Sequence, residues 1–464
     1  MNFRLPAYRQ VGAGMTRKAV IKFMPHITNY KQLAKTPLRK KALAIVEAGY
    51  AAIEITTAIK KRITLKKNTL EVIFPNEKQG AVKIDLNDYK RVFLVGIGKG
   101  SALASASLAQ VLGKRLTKGI AIDVEQPKLA TRNSQLATFI GTHPLPSAKN
   151  VAATKKIIKM ISGLKADDLV IMFMCGGGSA LAVASNEELK ASTTVFKELT
   201  KAGANIIELN TVRKHLSDIK GGNLAKAAYP AAMLTLMASD VIGNDMEMIA
   251  SGPTVMDTTT KRDAMTVLKK YGISTKGLEF KETPKDKKYF TNVNNTLFIS
   301  NGDAAQAMAD EAKRLGLQAK IQSTTFQGEA KSALLPAMRA IKKGEAIIMA
   351  GETTVTLNDV PTGEKIGKGG RNQEAVLGVL ANSVKKGLDG IVAISYASDG
   401  RDNTEAAGAI GDGETVRAIA KTKQDIGETL ALHDTFNFFK KNGNLLLVKR
   451  NSFNVADLML IIRE

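Results

Sequence analysis

The sequence predicts an α/β protein with two α/β domains, the first of them Rossmann-like with a mainly parallel sheet. From Arg91 onward, short apolar runs alternate with glycine-containing turns and stretches of helical periodicity. This alternation is typical of helices that connect parallel strands. The chain has 464 residues, which is more than a typical single domain. Hydrophobic residues make up 44% of it, so each domain can bury a core.

Composition excludes several kinds of site and partner. Cys175 is the single cysteine, which excludes an internal disulfide and a cysteine-based zinc site. The four histidines are too scattered along the sequence to indicate a metal cluster. No apolar stretch reaches the roughly 18 residues of a membrane-spanning helix, so we expect no membrane partner. The net charge of +24 comes mostly from lysines spread along the chain, which favours a solvated surface over a specific nucleic-acid site.

Residues 1–35 are predicted to form a basic N-terminal arm. The first acidic residue of the chain is Glu47, and arginines and lysines precede it. A basic, acid-poor segment is also typical of mitochondrial transit peptides, but the serine that such peptides favour is absent from this stretch. We expect a cytoplasmic protein, and mitochondrial targeting by the arm stays open as the alternative.

The first domain is predicted over 36–285, with periodicity and glycine turns defining its elements. Helices are expected at about 37–62, 101–112, 152–161, 187–202 and 211–228, and strands at 70–74, 92–95, 120–123, 137–140, 169–174 and 233–237. Residues 272–293 have weak periodicity and several lysines, glycines and prolines, so the domain boundary is placed there.

The second, smaller domain is predicted over 290–464. Helices are expected at 304–314, 329–341, 373–380 and 413–422, and strands or extended stretches at 296–299, 319–322, 346–349, 353–357, 391–394 and 458–462. We expect loops rich in glycine and acidic residues at the C-terminal ends of strands in both domains. Open α/β sheets bind their ligands at those ends.

Three consecutive glycines, Gly176, Gly177 and Gly178, follow the buried strand predicted at 169–174, and Ser179 opens a helical stretch. A turn without side chains lets another molecule approach its backbone N–H groups, and a helix N-terminus adds a positive dipole end. The motif therefore predicts a site for an anionic group. A plain strand-to-helix turn is the alternative.

A second glycine turn, with Gly96, Gly98 and Gly100, follows the strand at 92–95. It approximates a dinucleotide fingerprint, but Ser101 stands where the third glycine belongs, and Asp123 is an imperfectly spaced candidate for the ribose-binding acid. Lys99 lies at the mouth of this turn, where its charge could neutralise a transferred phosphoryl group. A surface lysine is the alternative.

Two loops later in the first domain carry polar side chains after predicted strands. His143 lies in a proline-containing loop after the strand at 137–140 and is a candidate ligand contact, or a structural histidine. Asp240 and Asp245 follow the strand at 233–237, where carboxylates commonly hold Mg²⁺ or accept a proton. A tight turn beyond them offers further polar groups at three positions, Ser251, Gly252 and Thr254.

The second domain has its own glycine-lined helix start at 367–370, with Arg371 in the first turn. A guanidinium in such a place suits bidentate contact with phosphate or carboxylate. The candidate binding residues around it are Glu352, Thr353, Asn372, Glu374 and Asp399.

Taken together, these motifs resemble those of the glycerate 2-kinase family, whose second half is the MOFRL domain. The matching segments are GKG at 98–100, HPLP at 143–146, GGGSAL at 176–181, TVRKHLSDIKGG at 211–222, SDVIGN at 239–244, ASGPT at 250–254, GETTVT at 351–356, GGRNQE at 369–374 and SDGRD at 398–402. They occur in the family's order and cover about 37–464.

The resemblance implies an enzyme that transfers the γ-phosphoryl group of ATP, with Mg²⁺, to the 2-hydroxyl of D-glycerate, giving 2-phosphoglycerate and ADP. It implies an active site in the cleft between the two domains, with Lys99, Asp240 and Arg371 as catalytic residues. Lys99 and Arg371 would stabilise the phosphoryl charge, and Asp240 would orient the hydroxyl or the metal, with Asp245 as a second metal ligand. Glycerate and ATP are the expected partners, and a homodimer is the expected assembly.

Four departures from the family pattern leave the substrate open. Asn244 replaces an aspartate, Gly100 replaces an alanine, and Asn403 replaces a glycine. The closing block at 448–457 keeps only three residues of the usual pattern: Asn454, Val455 and Asp457. Lys449 and Arg450 could supply substitute positive charge there.

Two other classes of function stay open. The turn at 96–100 would suit an NAD(P)H-dependent hydroxypyruvate or tartronate reductase. The divergent closing block would suit a family member with an altered hydroxy-acid substrate, or a binding protein that has lost activity.

Overall fold

The computed structural model describes residues 26–75, 80–127, 133–357, 364–384, 387–422, 424–451 and 453–464. The basic arm predicted at 1–35 lies outside the described residues as far as residue 25. The described chain begins on the C-terminal half of the molecule: Ile27 forms a β-bridge with Val448.

Within the described residues up to 299, the chain forms ten α-helices and nine strands. The helices are α1 (Tyr30–Leu33), α2 (Pro37–Ile53), α3 (Ile55–Arg62), α4 (Ser101–Leu112), α5 (Ala148–Ile161), α6 (Gly178–Leu181), α7 (Asn186–Lys201), α8 (Ile206–His215), α9 (Asn223–Ala228) and α10 (Lys261–Lys270). The strands are β1 (Ile63–Lys66), β2 (Thr69–Ile73), β3 (Ala81–Asp85), β4 (Arg91–Ile97), β5 (Leu116–Asp123), β6 (Leu136–Ile140), β7 (Asp168–Cys175), β8 (Ala232–Ala238) and β9 (Val293–Ile299).

Strands β4 to β9 form a six-stranded sheet in the order β6-β5-β4-β7-β8-β9, with every neighbouring pair parallel. We call it the parallel sheet. Counted along the chain, this is the doubly-wound order 3-2-1-4-5-6, so the strand order reverses between β4 and β7. Loops that leave those two strands diverge to opposite faces and open a crevice at the carboxyl ends. The prediction of a Rossmann-like, mainly parallel first sheet is confirmed.

From residue 300 onward, the part of the chain that the structure describes forms seven α-helices and six strands. The helices are α11 (Asn301–Arg314), α12 (Ala330–Ala333), α13 (Leu335–Ala340), α14 (Arg371–Ser383), α15 (Gly413–Thr422), α16 (Ile426–Ala431) and α17 (Thr435–Lys441). The strands are β10 (Gln318–Phe326), β11 (Glu345–Gly351), β12 (Ile391–Ala397), β13 (Gly408–Asp412), β14 (Leu445–Leu446) and β15 (Asp457–Arg463).

These last six strands form a second sheet in the order β10-β11-β15-β12-β13-β14, which we call the mixed sheet. Only β10 and β11 pair in parallel, and the other pairs are antiparallel. The last strand, β15, lies in the middle, opposite β11 on one side and β12 on the other. Its first residue, Asp457, therefore sits between the ends of two neighbouring strands, beside Gly351 and Ala397.

Several predicted elements are interrupted by residues that cap or bend the chain. The helix expected at 37–62 is two helices that meet at 68° at Glu54, whose carboxylate accepts the first N–H groups of α3. The helix expected at 211–228 is broken into α8 and α9, with Gly221 and Gly222 at positive φ between them. The helix expected at 329–341 is interrupted at Leu334, just before Pro336.

Two elements pair or pack across the predicted domain bounds, which stay a prediction. Val293–Ile299, expected to begin the second series, is the edge strand of the parallel sheet and pairs with β8. Helix α2, expected to belong to the first domain, packs on α11 and against β12 and β15 of the mixed sheet. The sequence at 272–293, where the boundary is predicted, therefore precedes a strand that still belongs to the parallel sheet. Near the start of the described chain, α2 packs with elements that come much later in the sequence.

One hydrophobic core joins the two sheets. It includes Leu94 and Phe173 of the parallel sheet together with Ile348 and Leu460 of the mixed sheet. This shared core fixes how the strand ends of the two sheets face one another.

Among the described residues, no single helix is long and apolar enough to cross a membrane, although the bent pair of α2 and α3 meets that test when taken together.

A buried ion pair pins α2 to the mixed sheet. Arg39 is 1% exposed and donates from Nε and Nη2 to the two carboxylate oxygens of Asp412, at 2.7 and 2.8 Å. It also donates to Asn444 and Thr415, each at 2.9 Å. Every polar atom that this guanidinium meets belongs to the C-terminal part of the chain.

We predict that Arg39→Ala lowers the free energy of unfolding by about 3–5 kcal/mol, because it leaves the Asp412 carboxylate buried without its counter-charge. Urea denaturation measures the change. The matched control is Arg314→Ala, which breaks the exposed pair with Glu311 and should cost less than about 1 kcal/mol. Equal losses in the two variants would contradict the role assigned to Arg39.

Candidate active site

The site is built on the two loops that leave β4 and β7, where the order of the parallel sheet reverses. Gly98 has φ +119°, and a Cβ there would lie 2.3 Å from the carbonyl oxygen of Cys175. The Lys99 N–H donates to the Gly176 carbonyl at 2.9 Å, and the Cys175 thiol donates to the Lys99 carbonyl at 2.9 Å. Burial raises the pKa of Cys175 well above its ordinary value, so this thiol stays neutral and structural.

The three glycines leave room for side chains of the protein itself. A Cβ at Gly176 would lie 1.8 Å from Oδ2 of Asp240. At Gly177 it would lie 3.1 Å from Lys99 Cε and 3.2 Å from the His143 ring. The absence of side chains therefore lets a carboxylate, an ammonium group and an imidazole converge on one loop. That this loop binds an anion directly stays a prediction. The geometry shows that the charged side chains of Asp240 and Lys99 pack directly against the backbone of the loop.

Lys99 is the half-buried cation at the centre of this group. Among the described residues it has no acidic oxygen within 4 Å of its Nζ, so its charge is available to a ligand. The loss of water around the ring, and then the charge of Lys99, lower the pKa of His143. Burial raises the pKa of Asp240, while Lys99 acts in the opposite sense.

A turn with strained backbone angles, at residues 250–252, contacts the helix that follows the glycine loop. Ala250, Ser251 and Gly252 all have positive φ, which costs energy at the two residues that carry a Cβ. Ser251 Oγ lies 2.8 Å from Ser179 Oγ and donates to Asn210 at 2.9 Å. This turn therefore holds α6, and with it the glycine loop, in place.

Two predicted residues of this wall, Thr254 and Asp245, use their side chains in hydrogen bonds to neighbouring residues of the protein. Thr254 is fully buried and donates to Asn295 at 2.6 Å, so its hydroxyl is used within the first domain. Asp245 is exposed, and its carboxylate accepts the N–H of Glu247 at 2.9 Å. Within the described part of the chain, no three His, Cys, Asp or Glu side chains cluster in a way that could hold a metal ion.

Arg371 forms the opposite wall, at the first residue of α14. Its Nε donates to Asp457 at 2.5 Å, its Nη2 donates to the same carboxylate at 3.1 Å, and its Nη1 donates to Glu352. Asp457 is fully buried, and burial raises its pKa to about 7 although Arg371 acts in the opposite sense. The guanidinium is thus held rigidly by two carboxylates, with part of its N–H edge left for a ligand.

The N-terminus of α14 is already capped by a carboxylate of the protein. The N–H groups of Asn372 and Gln373 donate to the two oxygens of Asp402, at 3.1 and 2.9 Å. Asn372 itself is fully buried and accepts the Ser395 hydroxyl at 2.6 Å. These backbone N–H groups are therefore used by Asp402, to which the Asn372 side chain also donates at 3.2 Å, and the anion contact predicted for Arg371 stays a prediction.

The closing block holds the loop that carries Asp399. Ser398 Oγ donates to Asn454 at 2.7 Å and accepts the Val455 N–H at 2.8 Å. Together with Asp457, these are the three residues of the block that keep the family pattern. Each one supports a cleft residue, Asp399 or Arg371. Lys449 and Arg450 are exposed, and Arg450 lines a pocket together with Asp399 and Arg401.

The two walls face one another across a cleft. The charge of Lys99 acts on Asp399, and the charge of Glu352 acts on Asp240, in each case from one sheet to the other. Burial raises the pKa of Asp399 and of Asp240 alike. Lys99 and Asp240 lie on one of these walls and Arg371 on the other, and their catalytic roles stay a prediction.

One residue of the cleft was missed at the sequence level. His433 lies beside Glu374, with Nδ1 2.9 Å from Oε2 of the carboxyl group. It has φ +55°, an uncommon value for a residue with a side chain. A lone histidine in a polar segment gave no signal, because its partner Glu374 is 59 residues away in sequence.

Two family models match the chain. The one described as a domain of unknown function (DUF4147) matches residues 41–279, and the one described as the MOFRL family matches residues 345–457.

Among curated proteins, the chain is 34% identical to D-glycerate 2-kinase of Thermotoga maritima, over 86% of this chain and 97% of that protein. It is 33% identical to glycerate 2-kinase of Pyrococcus horikoshii, over 80% and 87%. A putative hydroxypyruvate reductase of Agrobacterium vitis is 34% identical, over 80% and 87%.

Among solved structures, the fold is similar to that of glycerate kinase from Thermotoga maritima. The TM-score is 0.79 at 31% identity, covering 92% of this chain and 99% of that one. A protein from Pyrococcus horikoshii matches with a TM-score of 0.77 at 29% identity.

Proposed function

The chain belongs to the glycerate 2-kinase family, and on that premise we propose that it transfers the γ-phosphoryl group of ATP to the 2-hydroxyl of D-glycerate. The products are 2-phosphoglycerate and ADP. The observation that carries the proposal is the cleft itself, where Lys99 lies without an acidic partner within 4 Å among the described residues. A cation whose charge is not used by an acidic partner suits a reaction that depends on stabilising phosphoryl charge.

In this reaction a bond forms between the 2-hydroxyl oxygen and the γ-phosphorus, and the bond from that phosphorus to the β–γ bridging oxygen breaks. Lys99 stabilises the charge on the phosphoryl group in flight. Asp240 orients the hydroxyl and accepts its proton, and the raised pKa that burial gives this carboxyl brings it closer to neutral pH. Arg371 contacts the triphosphate with the N–H groups that Asp457 and Glu352 leave available.

The residues of the cleft fit a magnesium ion that enters with the triphosphate. Mg²⁺ is commonly bound by one or two carboxylates together with substrate phosphates, and the desolvated Asp240 is such a ligand. When bound there, the ion would supply additional neutralisation of phosphate charge. Asp245 is less suited, since its carboxylate caps the turn at Glu247.

The reductase alternative is favoured by the Agrobacterium vitis relatives that carry that name, but the geometry of the turn after β4 opposes it. Asp123, the candidate ribose-binding acid, is 1% exposed and accepts the N–H of Ala102 at 2.9 Å and of Val124 at 2.6 Å. Its carboxylate therefore caps α4 at the place where a dinucleotide pyrophosphate would need to bind.

We predict that Lys99→Ala lowers kcat for phosphoryl transfer to D-glycerate by about 10²–10³-fold or more, because one preorganised cation is lost from the transition state. A coupled assay of ADP formation measures it. The control Lys159→Ala removes an exposed lysine of α5 and should leave turnover unchanged. Near-normal turnover in Lys99→Ala, or NADH oxidation with hydroxypyruvate in the absence of ATP, would overturn the proposed function.

We also predict that Gly176→Ala reduces kcat as strongly as Asp240→Asn, since the new Cβ would meet the Asp240 carboxylate at 1.8 Å and displace it. Thermal unfolding of the same samples checks that the fold survives. Gly302→Ala is the control: the nearest atom to its Cβ is Ser300 Oγ at 3.3 Å, remote from the cleft residues. A Gly176→Ala enzyme with full activity would show that the position of Asp240 does not matter.

A further inference from the structure

A pocket of about 420 Å³ opens on the mixed-sheet wall of the cleft, next to Arg371. Two stretches form its sides: the extended segment after β11 and the glycine loop that precedes α14. The residues that matter for its chemistry are Glu352, Thr353, Val355, Leu357, Ile366, Arg371, Glu374 and His433. None of the reaction steps described above uses the interior of this pocket.

The floor of the pocket carries buried polar atoms that no described residue satisfies. They are Thr353 Oγ1, Glu374 Oε1 and His433 Nε2. Thr353 and Glu374 are each 1% exposed, and His433 is 6% exposed. A buried polar atom without a hydrogen-bond partner costs stability, so three of them in one pocket indicate a ligand with matching polar groups.

The glycine loop fixes the shape of this floor. A Cβ at Gly369 would lie 2.2 Å from Thr435 Oγ1 and 2.6 Å from the His433 carbonyl oxygen. The loop therefore packs directly on the segment that carries His433, and the strained φ of that histidine is held by this packing. Gly369 therefore helps to position the imidazole of His433.

The mouth of the pocket is apolar. Leu357 and Ile366 are large hydrophobic side chains that are 49% and 54% exposed, and Val355 lies between the two segments. Exposed aliphatic side chains around a polar floor are typical of sites for a flat, largely apolar group with polar atoms on one edge.

The charges of the pocket disfavour an anion. Its described lining contains the carboxyl groups of Glu352 and Glu374, and the Arg371 guanidinium there is already paired with Glu352 and Asp457. On the other wall, Lys99 has no such partner among the residues that the structure describes. A small anionic acid therefore belongs at Lys99, and an uncharged group belongs in this pocket.

We propose that this pocket binds the nucleobase of the phosphoryl donor, with the polar edge of the base on Thr353, Glu374 and His433 and its faces against Leu357 and Ile366. The triphosphate then runs past Arg371 toward Lys99. This inference rests on the proposed function in taking a nucleoside triphosphate as the donor, and it assigns the base to the mixed-sheet wall and the hydroxy acid to the parallel-sheet wall.

Adenosine, which has no phosphate, is the direct probe. Isothermal titration calorimetry of the full chain with adenosine measures the pocket alone, and steady-state kinetics gives KM for ATP and for D-glycerate separately. Thr353→Val is the informative variant, because within the described part of the chain its hydroxyl has no hydrogen-bond partner to lose, and the fold should survive. Ile366→Ser alters the rim, and Val384→Ser is the matched control, a 47% exposed aliphatic residue outside the pocket.

We expect Thr353→Val to weaken adenosine binding and raise KM for ATP by about five- to tenfold, the usual range for one lost hydrogen bond. Ile366→Ser should act in the same direction, Val384→Ser should change neither quantity, and KM for D-glycerate should stay constant. If adenosine binding weakens in both pocket variants while D-glycerate is not phosphorylated, the pocket stands and the proposed function falls. If the chain phosphorylates D-glycerate but does not bind adenosine, or if the variants raise KM for D-glycerate instead, the nucleobase assignment is overturned.

Discussion

The approach of the Asp240 carboxylate to the backbone of Gly176 is the constraint on which the rest of the cleft depends. Any side chain at position 176 would occupy the space of that carboxylate. Because Gly177 likewise admits Lys99 and His143, an acid, a cation and an imidazole meet over one loop at the point where the parallel sheet changes direction. Loops at such a point diverge and leave a crevice, and here the crevice is lined by charges of both signs.

On the opposite wall, carboxylates of the protein position the charged side chain of Arg371. Arg371 is fixed by the buried Asp457, whose place between the ends of β11 and β12 follows from the register of the central strand. The closing block has diverged, yet Asn454, Val455 and Asp457 are retained, and these residues hold Ser398 and Arg371. The divergence therefore leaves these supports intact, and it places Lys449 and Arg450 next to the loop that carries Asp399.

The sequence predicted the fold class and the position of most strands, because apolar runs that end in glycine turns can be recognised from the sequence alone. The catalytic roles of Lys99, Asp240 and Arg371 stay a prediction. The sequence did not predict what each glycine accommodates. Asp123 and Asp402 cap the helices α4 and α14, so two helix starts that looked suited to a ligand's anion are used by the protein's own carboxylates. Such caps involve residues about 20 to 30 positions apart, as in Asp402 with Asn372 and Gln373, and short motifs carry no signal for them. The pairing of His433 with Glu374, and the placement of α2 on the mixed sheet, depend on tertiary contacts of the same kind.

The central claim is that both walls of this cleft act on one phosphoryl group, carried to the hydroxyl that Asp240 orients. Phosphorus-31 NMR of the product formed from ATP, magnesium and D-glycerate tests it most directly, because 2-phosphoglycerate and 3-phosphoglycerate give distinct signals. The account predicts 2-phosphoglycerate in amounts equal to the ADP formed. Formation of 3-phosphoglycerate, or release of inorganic phosphate without a phosphorylated acid, would contradict it.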